Sequence, residues 1–318
     1  MKTDLSTEMR DGVEVVVLRS DDAMAEVVPA YGNNCWLFRV AGEDVLEKLA
    51  WATFRAKPTS YGIPILFPFP NRIRDQKFTW RGRDVAVDVP QHGWLRARPW
   101  KQVDAGSDDS ASWVTARFDA ADWPGEILNQ WPWPFAVEVT WRLSGATLEM
   151  LTHVENTGDE TMPYGFGIHP YFHKPLNATV TVPALRRWRL ASNFPTGETE
   201  AVQGVYDLRD NADVSQLSLD DIYTELRAEE GTVNCTLVDR DAGATTTIAF
   251  TRDEFPDVVV YTPPKRDAIC VEPNTCPTDA FNLEARGIAA NVRVLEPRAS
   301  ERFTIRIERT SGGPTAGS

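Results

Sequence analysis

Hydrophobic residues along this chain recur at every second position, the spacing of a β-strand, much more often than at helical spacing. In the run FAVEVTWRL, which covers residues 135–143, Phe135, Val137 and Val139 face one way. Alternation over that length predicts a strand with one buried face. A Ser-Gly turn follows at 144–145, so we expect residues 147–155 to form a second strand paired with the first.

Short runs of the same kind fill most of the remaining chain. Each is rich in branched or aromatic residues and is bounded by Gly, Pro, Asn or Asp. The runs cover residues 13–18, 25–29, 35–40, 77–80, 85–89, 112–118, 178–182, 188–191, 222–226, 233–239, 245–251, 258–261, 269–271 and 303–307. Helix-like spacing between Glu43 and Phe54 predicts one short helix without a strong cap. The sequence therefore predicts an all-β protein, a large antiparallel sandwich with few short helices.

Prolines interrupt the strand pattern in two places. Residues 61–84 read YGIPILFPFPNRIRDQKFTWRGRD, with three prolines within seven residues, and residues 123–134 read WPGEILNQWPWP. Proline lacks a backbone N–H and fits neither a helix interior nor a central strand. We expect both stretches to contain irregular but well-packed backbone.

The chain is expected to form one domain. Its 318 residues are compatible with two domains by length, but no linker, composition shift or fixed-period repeat divides it. We therefore expect a single domain over residues 1–310. The final SGGPTAGS, residues 311–318, is small, polar and helix-breaking, which predicts a disordered tail.

Composition and charge narrow the classes of function. A formal net charge of −13 disfavours nucleic acid and anionic membrane surfaces as partners, because both select clustered Lys and Arg. The start MKTDLSTEMRDG has no signal-peptide core, and no run approaches the ~18 apolar residues of a membrane span. The four cysteines form no C-x-x-C pair, which predicts reduced, buried thiols. We expect a soluble cytoplasmic protein, a monomer or homodimer, that binds a small molecule.

Two histidines lie beside four aromatic rings in YGFGIHPYFH, residues 164–173. Glycines allow close approach of backbone or ligand, aromatic rings offer flat apolar faces, and histidine titrates near neutrality. His169 is therefore either a site residue or a core histidine whose ring nitrogens both have hydrogen-bond partners. For His173, a position in a loop is the better interpretation. Pro170 between them is incompatible with a helical metal-binding pair, so we expect no metal.

Glu272 ends an apolar run, Ala-Ile-Cys-Val, and directly precedes Pro273. A carboxylate at the end of an apolar strand is partly desolvated, which favours its neutral form and can tune it as a general base. The alternative is a strand-end glutamate paired with a surface cation. The sequence motifs of serine hydrolases, zinc proteases and nucleotide-binding loops are absent.

Further polar candidates stand in less regular surroundings. Arg72 follows Asn71 in the proline-rich segment, where its fork of donors suits hydroxyl or carboxylate oxygens. His92 precedes a glycine and a tryptophan. Asp220 and Asp221 lead into an aromatic strand, where adjacent side chains point to opposite faces. At most one of the two aspartates can face a site, and a solvated turn pair is the alternative.

Four segments, taken together and in this order, resemble the aldose 1-epimerase (mutarotase) family. They read GIPILFPFPNRIRDQKFTWRG, QHGWLRARPW, MPYGFGIHPYF and ICVEPNTCPTDAFN, and the similarity covers residues 13–309. The resemblance implies a β supersandwich and a reaction without a cofactor. It implies that His169 corresponds to the general acid and Glu272 to the general base. Arg72 and His92 correspond to sugar-binding positions.

The resemblance also implies a carboxylate that holds sugar hydroxyls. Asp220 corresponds to it, but the surrounding LDDIY departs from the family pattern, so Asp221 stays open as an alternative. Asn71 and Trp94 adjoin the two sugar-binding positions and are further candidates for sugar contacts. Trp94 would act by stacking on a sugar face.

We therefore expect an enzyme that interconverts the α and β anomers of a hexose. One alternative is an epimerase of an anionic sugar, such as a hexose 6-phosphate or a sulfonated sugar, because arginines cluster in the site-forming segments. They are Arg72, Arg74, Arg81, Arg83, Arg96 and Arg98. Two further alternative functions are a non-catalytic carbohydrate-binding protein of the same fold and a glycoside hydrolase. The hydrolase would need a second carboxylate ~5–9.5 Å from Glu272.

Overall fold

The computed structural model describes residues 2–311, which contain 26 strands. The first are β1 Thr3–Arg10, β2 Val13–Ser20, β3 Ala23–Val28, β4 Asn34–Val40, β5 Glu43–Asp44, β6 Ile65–Leu66, β7 Lys77–Trp80, β8 Arg83–Ala86 and β9 Lys101–Ser107. The next are β10 Ser112–Asp119, β11 Phe135–Ser144, β12 Thr147–Asn156, β13 Met162–Tyr164, β14 Gly167–Ile168, β15 Tyr171–His173, β16 Ala178–Thr181, β17 Ala184–Ala191 and β18 Phe194–Ala201. The last are β19 Ala212–Asp213, β20 Asp220–Leu226, β21 Thr232–Asp239, β22 Ala244–Thr251, β23 Asp257–Tyr261, β24 Ala268–Asn274, β25 Arg293–Leu295 and β26 Ser300–Ser311.

Helical structure is sparse in the described part of the chain. Its two α-helices, α1 Trp51–Ala56 and α2 Ala280–Ala285, are six residues long, and the rest are short 3-10 turns and one π-helical turn at Pro124–Leu128. The predicted short helix therefore starts later than expected, at Trp51. The π-helical turn lies in the second proline-rich stretch.

Three large sheets contain most of the strands, and all of their neighbouring strands pair antiparallel. A five-stranded sheet has the order β1-β2-β3-β4-β5, and a nine-stranded sheet has the order β19-β16-β21-β22-β26-β12-β11-β10-β9. An eight-stranded sheet runs β18-β17-β20-β23-β24-β14-β6, with β15 also paired to β24. The predicted hairpin is present as β11 and β12, which pair along their whole length.

One hydrophobic core joins these sheets. Val16 of the five-stranded sheet, Val137 of the nine-stranded sheet and Val271 of the eight-stranded sheet are all fully buried in it. Antiparallel sheets packed face to face over a shared core make a β-sandwich. The predicted all-β sandwich with few short helices is confirmed.

The sequence missed strands that lie at sheet edges. β1, β9 and β18 each end a sheet, and their side chains are largely exposed or half-buried. An edge strand with polar residues on both faces lacks the alternation that reveals a half-buried strand. β8 also starts and ends earlier than the predicted 85–89. β26 extends to Ser311, one residue into the predicted tail, and residues 312–318 lie outside the described residues.

The middle of the eight-stranded sheet has two buried faces. In β23 and β24, Val258, Val260 and Val271 point into the core, so the alternating residues Val259 and Glu272 point to the opposite face. Every residue of β24 is buried. The opposite face is where the candidate site lies. Among residues 2–311, no helix has the length and hydrophobicity needed to cross a bilayer.

Candidate active site

A pocket of about 180 Å³ lies against the eight-stranded sheet, on the face that points away from the core. Its walls are formed by Asn71, Arg72, Gln91, His92, His169, Tyr171, Asp220, Val259, Tyr261 and Glu272. The structure thus brings together six of the seven residues proposed from the sequence, although they are spread over 200 positions. Drug-sized ligands occupy pockets of ~300–1,000 Å³, so this pocket suits a smaller polar molecule.

Strand pairing fixes the floor of the pocket. Glu272 of β24 is directly opposite Val259 of β23, and Asp220 of β20 is directly opposite Tyr261 of β23. All four side chains line the pocket. Three adjacent strands therefore hold this side of the site on rigid backbone.

His169 lies between β14 and β15, where Pro170 interrupts the strand. Its backbone N–H donates to the Pro64 carbonyl at 3.0 Å, and Gly167 pairs with both Leu66 and Asn274. A Cβ on Gly167 would lie 1.8 Å from the Asn274 Oδ1, so only glycine allows this close packing. The segment is therefore fixed on both sides of the histidine.

The opposite wall is a loop pair in which Asn71 and His92 bind each other. The Asn71 N–H donates to His92 Nδ1 at 3.0 Å, and the His92 N–H donates to the Asn71 carbonyl at 2.6 Å. Both residues have left-handed backbone, with φ of 55° and 65°. Because Nδ1 accepts a hydrogen bond, the neutral His92 ring carries its hydrogen on Nε2. Gly93 follows with its backbone against Phe67, where a Cβ would lie 1.9 Å from the Phe67 carbonyl oxygen.

The imidazole of His169 and the carboxyl of Glu272 are in direct contact. His169 Nε2 lies 3.2 Å from Glu272 Oε1, and the two residues are 8% and 2% exposed. Burial raises the pKa of Glu272 well above its usual value, an effect that the charge of Asp220 reinforces. Burial also lowers the pKa of His169 to about 3, and the charge of Arg96 adds to this effect. These opposite shifts favour the placement of a shared proton on Glu272 rather than on His169 while the pocket is empty.

Arg96 is a half-buried cation that the sequence did not single out as a site residue. Its guanidinium donates only to the backbone carbonyls of Thr59 and Gln91, and among residues 2–311 it forms no ion pair. Its charge lowers the pKa of His92 and His169, in each case after burial. An uncompensated positive charge beside both imidazoles keeps them neutral.

The two adjacent aspartates point in opposite directions, as strand alternation requires. Asp220 lines the pocket and is exposed to solvent, and partial desolvation raises its pKa against the lowering effect of Arg72. Asp221 points to the other face, where its Oδ1 accepts a hydrogen bond from Arg187 at 2.6 Å. The register of β20 thus places Asp220 in the pocket and Asp221 outside it.

Trp94 is placed differently from the prediction. It is 2% exposed, belongs to the core and packs edge-on against Phe69 with ring centroids 6.1 Å apart. It is not among the described residues that line the pocket. The Gly93 turn separates it from His92, so their adjacency in sequence is lost in space. The aromatic rings that do line the pocket are those of Tyr171 and Tyr261.

One group of side chains in the described part of the chain could hold a metal ion. The ligand atoms of His169, Cys270 and Glu272 lie within 4.8 Å of one another. Burial raises the pKa of the Cys270 thiol well above its usual value, and a metal is bound by the thiolate. The group also contains the contacting His169–Glu272 pair, which is the arrangement that proton transfer needs.

A larger groove of about 480 Å³ lies elsewhere, near the ends of β20 and β23. It contains no histidine, and its charged residues Glu225, Arg252, Asp253 and Arg293 are each engaged in ion pairs. A greater volume without convergent reactive groups is a weaker site than the smaller pocket.

Comparison with known proteins agrees with this architecture. The family pattern described as aldose 1-epimerase matches residues 14–307. A structure of a galactose mutarotase-like protein from Clostridium acetobutylicum superposes with a TM-score of 0.87 at 20% identity, over 98% of this chain and 99% of that one. The galactose 1-epimerase from Lactobacillus acidophilus NCFM superposes with a TM-score of 0.77 at 15% identity, over 98% and 100%. At identities this low, the superpositions establish a shared fold and nothing about activity.

A sequence relative, the uncharacterized protein YphB of Escherichia coli K12, is 29% identical over 142 residues. That match spans 42% of this chain and 44% of YphB. The family pattern, by contrast, covers nearly the whole chain. The protein belongs to the aldose 1-epimerase family, and the resemblance found in its sequence is confirmed.

Proposed function

We propose that this protein is an aldose 1-epimerase, an isomerase that interconverts the α and β anomers of a hexose without a cofactor. The observation that carries the proposal is the contact between His169 Nε2 and Glu272 Oε1, 3.2 Å apart in a small polar pocket. A proton can pass between the two groups across this contact. Both face a space that a monosaccharide can enter.

The reaction needs a proton donor and a proton acceptor at one carbon. The C1 hydroxyl loses its proton, the ring oxygen gains one, the C1–O5 bond breaks, and an aldehyde forms. Rotation about C1–C2 followed by the reverse proton transfers closes the ring on the other face. Both oxygens are bonded to C1 and lie close together, so adjacent basic and acidic groups can serve them at once.

Glu272 and His169 fit the two roles. When the pair's proton is on His169, Glu272 accepts the proton of the C1 hydroxyl and His169 protonates the ring oxygen. Ring closure reverses the roles, because the same groups return the protons. Burial favours the other placement, with the proton on Glu272. The two placements differ only in which side of a 3.2 Å contact carries the proton. We propose that sugar binding brings their free energies close together.

The other pocket residues are proposed to bind the sugar. Asp220 can accept hydrogen bonds from a pair of hydroxyls, and the Nε2–H of His92 and the guanidinium of Arg72 can donate to hydroxyl oxygens. The side-chain oxygen of Asn71 accepts from Arg72 Nη1 at 3.1 Å, which orients the guanidinium. Tyr171 and Tyr261 offer ring faces to the apolar side of a sugar.

A neutral sugar fits the charges better than an anionic one. Of the clustered arginines, Arg74, Arg83 and Arg98 form ion pairs with carboxylates, at 3.5 Å for Arg74 and 2.9 Å for Arg83. Arg72 alone of the six lines the pocket, opposite the carboxylate of Asp220. An anionic sugar stays a second candidate, because Arg72 has no ion-pair partner in residues 2–311.

The four cysteines are free and buried, in keeping with a reducing compartment. We accordingly propose a cytoplasmic enzyme, a monomer or homodimer, whose partner is the sugar. Neither nucleic acid nor a membrane enters the proposal, given the acidic composition.

Polarimetry of freshly dissolved α-D-glucose and α-D-galactose tests the activity, after subtraction of the spontaneous rate. We expect the protein to accelerate anomer exchange, and we expect His169→Gln to lower the rate by about 10²–10⁴-fold. His153→Gln is the matched control, because His153 lies on β12 in the nine-stranded sheet and does not line the pocket. No acceleration with any common aldose would refute the proposal.

The same samples separate the alternatives. Faster exchange of glucose 6-phosphate than of glucose, followed by NMR, would favour the anionic sugar. Calorimetric sugar binding without anomer exchange would identify a carbohydrate-binding protein that lacks the activity. Net release of a sugar from a glycoside would instead indicate a hydrolase.

A further inference from the structure

A set of contacts lies behind His169 that the proposed reaction does not use directly. The His169 ring stacks on Tyr171, with centroids 4.6 Å apart and planes inclined by 17°. The guanidinium carbon of Arg266 lies 4.3 Å from the Tyr171 ring centroid and 4.4 Å from that of Tyr61. Glu47 binds the same guanidinium with both oxygens, accepting from Nε at 3.1 Å and from Nη2. We call Glu47, Tyr61, Tyr171 and Arg266 the arginine bracket.

Backbone pairing ties the bracket to the strand that follows His169. The Glu47 N–H donates to the Tyr171 carbonyl at 2.8 Å, and the Tyr171 N–H donates to the Gly62 carbonyl at 2.9 Å. Glu47 therefore holds Tyr171 twice, once through the backbone and once through Arg266. The side chains of Glu47 and Arg266 are only 11% and 22% exposed, so solvent competes weakly for these bonds.

The chemistry of arginine suits this position. A planar guanidinium can stack on aromatic rings and bind a carboxylate with two parallel hydrogen bonds at the same time, which a lysine ammonium cannot do. A cation over an aromatic face is attracted by the negative charge distribution of the ring. The arrangement fixes the plane of Tyr171, and the stacked imidazole rests on that plane.

Arg266 also contributes charge. Its own pKa is raised, because the hydrogen bonds and charge of Glu47 outweigh its desolvation. Its charge lowers the pKa of His169, after burial and the charge of Arg96. The titratable and charged groups around His169 are Cys270 and Glu272 from β24, Tyr171 from β15, Tyr261 from β23, Asp220 from β20, Arg72, His92 and Arg96 from the loops, and Arg266 from the turn after β23.

We propose that Arg266 is a positioning residue of the epimerase, acting through the ring of Tyr171. It holds the imidazole of His169 in line with Glu272, and its positive charge opposes a second proton on that pair. The inference rests on the proposed function, because it assumes that His169 transfers a proton. It assigns to a residue outside the pocket lining both a steric and an electrostatic part in the reaction.

Two substitutions separate the steric part from the electrostatic part. Arg266→Gln removes both the charge and the guanidinium plane, and Arg266→Lys keeps the charge alone. We expect both to lower kcat by about 10-fold with KM unchanged, since about 1.4 kcal/mol of positioning is lost. Only Arg266→Gln should move the acid limb of the kcat–pH profile to higher pH. Glutamine lacks the positive charge that opposes a second proton on the His169–Glu272 pair, whereas lysine keeps it. Arg252→Gln is the matched control, an exposed arginine paired with Asp253.

NMR of the ¹⁵N-labelled imidazole of His169 in the resting protein tests the charge effect without any turnover. We expect the ring of Arg266→Gln to take up its second proton at a higher pH than the ring of the wild type, and that of Arg266→Lys to follow the wild type. Identical titrations in all three proteins would overturn the electrostatic part even if no sugar is turned over. A lowered thermal midpoint with unchanged kcat and unchanged acid limb in both variants would reduce the bracket to a structural clamp and overturn the proposal.

Discussion

Replacement of Glu272 by glutamine should separate catalysis from stability. Glutamine has the shape of the protonated glutamate but cannot carry the exchanged proton. General acid–base transfer contributes about 10²–10⁴-fold, so we expect kcat in Glu272→Gln to fall by that factor, equivalent to about 2.7–5.4 kcal/mol of transition-state free energy. Binding of the sugar should persist, because Asp220, Arg72 and His92 are untouched.

The same substitution should stabilise the protein at neutral and alkaline pH. The folded pKa of Glu272 is raised by burial, so the unfolded chain loses this proton at lower pH than the folded one. Stability therefore falls as pH rises from the unfolded value of about 4.5 through the folded pKa, by about 1.4 kcal/mol for each pH unit that separates the two pKa values. Glutamine has no such proton to lose. Chemical unfolding curves at pH 5 and pH 8 measure the free energy of unfolding of both proteins. The difference in favour of Glu272→Gln over the wild type should be larger at pH 8 than at pH 5.

A matched control for this effect is Asp257→Asn. Asp257 is fully buried outside the pocket, its pKa is raised to about 6 by burial, and it accepts a hydrogen bond from Trp188 at 2.9 Å. Asparagine keeps that acceptor, so the variant should gain stability at pH 8 and retain full activity. Polarimetry of α-D-glucose and denaturant curves measure both quantities. Wild-type kcat in Glu272→Gln would refute its role as a proton carrier, and destabilisation at pH 8 would refute the burial argument.

Four further substitutions test the sugar-binding assignments. Asp220→Asn should raise KM by about 10-fold or more, because hydrogen bonds to a charged group contribute ~1.5–3 kcal/mol. Asp221→Asn should leave KM unchanged and lower the thermal midpoint, because it weakens the bond to Arg187. Steady-state kinetics and thermal scans distinguish the two variants. Arg72→Met should raise KM for neutral hexoses by a similar factor without shifting the thermal midpoint, and an unchanged KM would remove Arg72 from the binding site. Trp94→Phe should cost ~0.5–3 kcal/mol of stability with unchanged KM, and an increase in KM with unchanged stability would contradict its place in the core.

Strand alternation accounts for most of what could be foreseen. The hairpin of β11 and β12 follows from period-two hydrophobicity, and the contacting His169 and Glu272 stand in segments whose composition is unusual. The register of β20 could not be predicted, because neither Asp220 nor Asp221 breaks a hydrophobic pattern. Pairing with β23 decides which of them enters the pocket.

Arginine side chains show the limit of sequence reasoning most clearly. Arg96 and Arg98 are two positions apart in a polar loop, yet Arg98 pairs with Glu126 at the surface and Arg96 points inward toward the imidazoles. Nothing local distinguishes them. Arg266 likewise stands in a turn, and its rings and its carboxylate come from segments about a hundred or two hundred residues earlier.

The wide sequence separation of the site has a consequence for the protein during its synthesis. Glu272 follows His92 by 180 residues, so at ~5–20 residues per second the ribosome needs about 9–36 s to pass from one to the other. β24 pairs with β14, β15 and β23 and is the last of these four strands to be synthesised. A nascent chain halted before β24 has its recognition loops but lacks the carboxyl group of Glu272, so the pocket can form only after β24 has been synthesised.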